Sequence, residues 1–196
     1  ELVQKYRTML QQPEVSQAVD DVVNEAISVT NDQKVVECVT DDLDQPDNIK
    51  KKIREEFDGI LKLLDFSNTG YETFQKWYVD GRVNYHVMID IKAPKKGIQE
   101  LRYIDPIKLR KVKEIEEEKD PKTGANIIKK SEEYFLFQDD AMKGNGQGLK
   151  IHPDSIAYCT SGMLDPSRKR ILSFLHKAIK PVNQLRMMED SLVIYR

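Results

Sequence analysis

Four carboxylates, Asp80, Asp90, Glu100 and Asp105, fall near the ends of segments with strand-like patterning. Several carboxylates converging on magnesium are what a metal-dependent nuclease needs. The spacing permits that chemistry without demanding it, because solvated carboxylates at strand ends give the same pattern. His86, His152 and His176 have no partner at the spacing of a His-Glu-x-x-His zinc site, and Cys38 and Cys159 lie too far apart to pair as metal ligands. The run Gly144-Asn145-Gly146-Gln147-Gly148 lacks the Lys-Ser/Thr of a phosphate-binding loop and leads into a strand-like segment rather than a helix. Asp42 and Asp44 begin like a calcium loop, but Asp47 and Ile53 stand where its Gly and Glu belong. Ser161-Gly162 is not a nucleophile elbow, with Met163 in place of the last glycine. No nucleophile with an identifiable base remains, so the expectation is a chain without a metal or cofactor and without covalent chemistry.

One charge asymmetry stands out. Between Asp165 and Glu189 there is no acid, while Arg168, Lys169, Arg170, Lys177, Lys180 and Arg186 are all basic. Such a run serves as a solvated face, as a partner for acids on a neighbouring subunit, or as a backbone contact to DNA through counterion release. The net charge of the whole chain is only -2, so any DNA contact must be local. Glu114, Glu116, Glu117 and Glu118 read as the charged edge of a hairpin that discourages unwanted strand pairing.

The elements that must position these residues follow from periodicity. At 196 residues, with 39% hydrophobic and 33% charged, the chain can build one ordinary core with much wet surface. Two unpaired cysteines fit a reducing compartment, and no stretch has the ~20 apolar residues that span a bilayer. A first helix should end at Gln12-Pro13 and a second run from Glu14 with Val15, Val19, Val22 and Ala26 on one stripe. Val35–Thr40 reads as a short β-branched strand. Asp47 is placed to N-cap a helix carrying Ile49, Ile53, Phe57, Ile60 and Leu64, and Asn68-Thr69-Gly70 punctuates the chain before a short helix with Phe74, Trp77 and Tyr78.

After Asp80-Gly81 the period changes to two. Val83, Tyr85, Val87 and Ile89 alternate with Arg82, Asn84, His86 and Met88, as in a half-buried strand. Further strands are expected at Ile98–Ile104, in a hairpin with arms Lys111–Glu118 and Asn126–Phe137 around Asp120–Gly124, and at Leu149–His152 and Ile156–Thr160. From Ile171 through Leu175, Ile179, Val182, Leu185 and Leu192 a helical stripe persists for about 26 residues, roughly 39 Å. Pro181 within it should kink it near Lys177. The fold class is α+β: a helical N-terminal half, a small mostly antiparallel sheet with a hairpin, and a long C-terminal helix. Division is expected into residues 1–165 and 166–196. The chain opens on Glu1 and stops inside an apolar-periodic run at Tyr195-Arg196, and both ends read as cut from something longer.

Several separated motifs, in order, resemble one family. They are Trp77-Tyr78-Val79-Asp80-Gly81-Arg82, Glu100-Leu101-Arg102-Tyr103-Ile104-Asp105-Pro106, Ser161-Gly162, the run from Leu175-His176-Lys177 to Gln184-Leu185, and Glu189–Arg196, and the likeness runs over nearly the whole chain from the Tyr6-Arg7 region onward. Together they resemble the portal protein of contractile-tailed T-even-like phages, including cyanophage relatives. The resemblance implies that residues 1–165 form part of a wing and 166–196 the start of a stem helix, with the clip, second stem helix and crown absent. It implies a twelve-fold homo-oligomeric ring at one vertex of the virion head, assembled in the host cytoplasm. Double-stranded DNA would pass through that ring, and the partners would be terminase large subunit, major capsid and scaffold proteins, and neck and tail proteins. Under it the stripe Ile171, Leu175, Ile179, Val182 and Leu185 packs the stem, and the basic run meets DNA or a neighbouring subunit. A metal-dependent phage nuclease and another head-to-tail adaptor are the alternatives. The hairpin tip at 119–125 and the glycine loop at 143–148 carry none of the motifs.

Overall fold

The computed structural model describes residues 2–27, 35–119, 126–139 and 148–195. Four helices come first: α1 (Leu2–Leu10), α2 (Pro13–Ala26), α3 (Asp47–Leu63) and α4 (Phe66–Asp80). Strands β1 (Arg82–Ile89), β2 (Ile98–Ile104), β3 (Leu109–Lys119), β4 (Asn126–Phe137), β5 (Leu149–Ile151) and β6 (Ile156–Thr160) follow, and α5 (Ile179–Ile194) closes the chain. The expected α+β class holds, with two three-stranded sheets rather than one: β2-β1-β6 and β3-β4-β5, with every strand pair antiparallel. The hairpin tip at 120–125 and the glycine loop from 143 to 147 lie outside the described residues.

Two cores sit on opposite faces of the first sheet. The helical one gathers Tyr6 and Met9 of α1, Val15, Val19 and Val23 of α2, Val79 of α4 and Leu175. The other joins Leu109 and Phe135 of the second sheet to Ile156, with Ile104 and Tyr158 packed against it. This double cover alters the reading of β1. Asn84 pairs across the sheet with Ile104 and Tyr158, so its side chain shares their face and is fully buried under the second sheet. The strand is therefore not half-solvated, and neither polar atom of the Asn84 amide has a hydrogen-bond partner among the described residues.

Three other expectations are corrected. Val35–Thr40 forms no strand: it has no partner strand, and Thr40 is instead held by Arg54 of α3, whose Nε and Nη2 donate to its hydroxyl at 2.9 and 2.6 Å. The break before α4 falls at Asp65, which adopts a left-handed conformation at φ 48°, so Asn68-Thr69-Gly70 lies inside the helix. Asp47 begins α3 as its first residue, where its charge favours the helix dipole, and Pro46 stands at the cap position.

The C-terminal helix is present, but its regular part starts at Ile179 rather than Ile171. Ile171 bridges to Leu164, and Phe174–Ala178 is a 3-10 turn. Buried Ser173 explains the delay. Its hydroxyl accepts from the Leu175 N–H at 3.0 Å and donates to the Tyr78 carbonyl at 3.0 Å, which starts the turn and ties it to the end of α4. Pro181 then falls in the first turn of α5, where backbone N–H groups have no intrahelical partner, and no kink is required.

The same junction fixes Gly81. It ends α4 at φ 73°, and a Cβ there would lie 2.7 Å from the Leu172 carbonyl oxygen. Both the left-handed backbone and the close approach exclude a side chain. Gly81→Ala should therefore cost about 2 kcal/mol or more in urea unfolding, and a loss under 0.5 kcal/mol would show that the junction yields.

Candidate functional site

Arg7, Asp80 and Asp105 come together at one place. Arg7 of α1 reaches two carboxylates from different elements: Asp80, at the end of α4, and Asp105, just after β2. Its Nε and Nη2 donate to Asp80 Oδ1 and Oδ2 at 3.0 and 2.6 Å, while Nη1 and Nη2 donate to Asp105 Oδ2 and Oδ1 at 2.9 and 3.1 Å. One guanidinium thus engages all four carboxylate oxygens. The Asp80 side chain is only 2% exposed, so removing that partner would leave a buried polar group unpaired. The Asp80 hydrogen bond is also the main reason the Arg7 pKa is raised, which fixes its positive charge.

Burial pushes the Asp105 carboxyl up, but Arg7, the Ile107 N–H and the charge of Lys108 together hold it below its ordinary value. Tyr103, lining the same cleft of about 370 Å³, has its phenol pushed up to about 12 by burial and then by the two nearby carboxylates. The Lys76 ammonium lies 4.4 Å from the centre of its ring.

Further bonds extend this node. The Tyr6 hydroxyl is 2.8 Å from His176 Nδ1. Ser161 donates its N–H to the Gly81 carbonyl at 2.8 Å and its hydroxyl to the Leu172 carbonyl at 2.6 Å. Phe174 stacks on Tyr78 with ring centres 4.9 Å apart. Tyr6, Arg7, Asp80, Asp105, Ser161 and His176 are thus occupied in joining α1, α4, the segment after β2 and the segment before α5.

The four carboxylates considered for magnesium are dispersed. Asp80 and Asp105 meet, but around a guanidinium. Asp90 accepts from the Lys92 N–H in a local turn, and Glu100 pairs with Arg102 of its own strand. His86 and His152 join no such group, and among the described residues no three His, Cys, Asp or Glu side chains gather as a metal site.

The basic run divides. Arg168, Lys169 and Arg170 line a groove of about 760 Å³, Lys177 and Lys180 are exposed, and Arg186 lines a separate cleft between α1 and α5. The groove also takes Arg82 from β1 and Arg110, Lys111 and Lys113 from β3. Sequence spacing did not associate these four with the run, because only the packing of the second sheet on the first brings them near it.

The apolar stripe divides too. Leu175 is in the helical core, Ile179 and Val182 pack against it, and Ile171 lines the groove. From Leu185 (37% exposed) onward the apolar residues turn outward, with Leu192 at 70% and Val193 at 77%. Among the described residues no helix is long and apolar enough to cross a membrane.

The chain is an α+β body in which an arginine clamp joins α1, α4 and the segment after β2. Comparison with known proteins specifies it further. The family described as Bacteriophage T4-like portal protein (Gp20) matches residues 1–196, and the chain belongs to that family. It is 38% identical over 210 residues to the portal protein of Vibrio phage KVP40, covering 100% of this chain and 40% of that protein. It is 32% identical over 209 residues to the portal protein of Salmonella phage ViI, covering 99% of this chain and 37% of that protein. The chain therefore spans about two fifths of the length of these relatives.

The depressed Asp105 carboxyl fixes the direction of a pH effect. Because its folded value lies below the ordinary 3.8, the bond to Arg7 contributes stability above that pH and loses it as pH falls through the folded value. Thermal unfolding from pH 6 down to pH 2 should show a decline that is shallower in Asp105→Asn. An unchanged slope would mean that the carboxylate carries no linkage.

Proposed function

We propose that this chain is part of a non-enzymatic subunit of a phage portal ring, at the vertex of the virion head through which double-stranded DNA is packaged and released. In this reading residues 1–165 belong to the wing of the subunit and residues 166–196 begin its stem. The assembled ring, twelve-fold in the complete protein, meets terminase large subunit, major capsid and scaffold proteins during assembly in the host cytoplasm, and neck and tail proteins later. It needs no metal or cofactor.

The observation that carries the reading is the family match along the entire chain, joined to the use its motif residues are put to. Asp80 and Asp105, the best candidates for metal ligands, are engaged on all four oxygens by Arg7. A ring wall needs rigid junctions between elements, and that is what these residues build. The outward apolar residues of α5, from Leu185 to Tyr195, suit a helix that other helices cover in an assembly. Lys177 and Lys180, exposed at its start, are free to meet DNA or a neighbouring subunit.

Electron microscopy of the complete gene product tests the proposal. Closed rings with a central channel are expected, and monomers alone across a wide range of protein concentration and salt would overturn it.

A further inference from the structure

The groove beside the second sheet has a composition that no contact among the described residues accounts for. It is lined by Arg110, Lys111 and Lys113 of β3, by the turn bearing Arg168, Lys169 and Arg170, and by Arg82 of β1. Among the described residues the only acid lining it is Glu133, which pairs with Lys111 at 3.0 Å and Lys113 at 3.3 Å. Among the described residues Arg110, Arg168, Lys169 and Arg170 have no ion pair.

The turn is built rather than loose. The Asp165 N–H donates to the Arg170 carbonyl at 2.9 Å, the Arg168 N–H donates to the Asp165 carbonyl at 2.7 Å, and the Leu164–Ile171 bridge closes its base. Arg168 itself adopts a left-handed φ of 54°, a conformation that disfavours a long side chain and that the turn imposes. The lining is also partly apolar, with Ile107 and Leu164 about half exposed. Its complement is an acidic segment with an aliphatic anchor.

This chain carries such a segment. Asp41-Asp42-Leu43-Asp44 is exposed throughout, and Asp42 and Asp44 have no ion pair among the described residues. None of its residues lines the groove of its own subunit. The segment leads into α3, whose apolar residues Ile49, Ile53 and Ile60 are each more than a third exposed, so the surface around it is uncovered by the described residues as well. We infer that residues 41–44 of one copy dock into the basic groove of the next.

The contact joins two different surfaces of the same molecule, and a heterologous contact of that kind repeats head to tail and closes into a ring when its rotation permits. The inference rests on the ring proposed above and supplies one of its contacts. Nucleic acid is the other polyanion that seven basic groups would attract, but a phosphate backbone offers nothing to Ile107 and Leu164.

Charge exchange in the complete gene product tests it, with assembly followed by analytical ultracentrifugation and electron microscopy. Arg168→Glu/Arg170→Glu and Asp42→Lys/Asp44→Lys should each weaken subunit association by about tenfold or more, since each sets like charges face to face. Combining all four substitutions in one chain should restore rings, which misfolding could not do. Rings as robust as the parent's in both double variants would overturn this contact while leaving the ring intact. So would a quadruple variant no better than either double, or a groove variant that keeps its rings but loses binding to a short DNA duplex. A parent protein that never forms rings would overturn the contact and the ring together.

Discussion

A carboxylate that is almost wholly removed from water cannot keep its charge without a partner, and Asp80 is in that position at the end of α4. Arg7 supplies the partner from 73 positions earlier in the sequence, and Asp105 takes up the rest of the guanidinium from beyond β2. The planar fork of arginine matches two carboxylates at once, which a lysine could not do with the same direction. Three elements remote in sequence are thereby held at fixed distances. Gly81 can then turn the chain straight into β1 against Leu172, and the segment before α5 can lie across the end of α4. Disturbing the clamp would expose a buried charge and also shift the junction from which the central strand and the last helix both depart.

The clamp also links structure to function. Conserving charge in the interior is what either an active site or a rigid joint would require, and the difference lies in what faces the carboxylates. A metal centre leaves oxygens open to an ion and a substrate. Here a guanidinium takes them, and the neighbouring Tyr103 phenol is pushed away from ionisation rather than toward it. For a member of the T4-like portal family, the chemistry of these residues is the chemistry of holding a shape.

Elements with strong local periodicity were legible in the sequence: α2 from its valine stripe, β1 from its alternation, and the hairpin arms from their length and the turn between them. What escaped depends on contacts between distant segments. Asn84 looked solvent-facing because alternation describes one strand and says nothing of a second sheet laid over it. The apolar stripe from Ile171 onward matched a helix, yet Ser173 caps and anchors the backbone near its start, and a stripe is blind to a cap. Asp80 and Asp105 were two of the four carboxylates weighed as metal ligands, and their actual partner Arg7 lies 73 and 98 positions away. The basic groove was half visible, since Arg168, Lys169 and Arg170 are adjacent in sequence whereas Arg82 and the β3 residues reach it only through folding.

The most direct test of the account is a double-mutant cycle on the clamp, read as unfolding free energy in urea. Arg7→Met should cost about 3 kcal/mol or more because it strands a buried carboxylate, and the same change in an Asp80→Asn background should cost at least about 1 kcal/mol less. Strictly additive losses, or an Arg7→Met variant as stable as the parent, would contradict the claim that this pair holds the structure together.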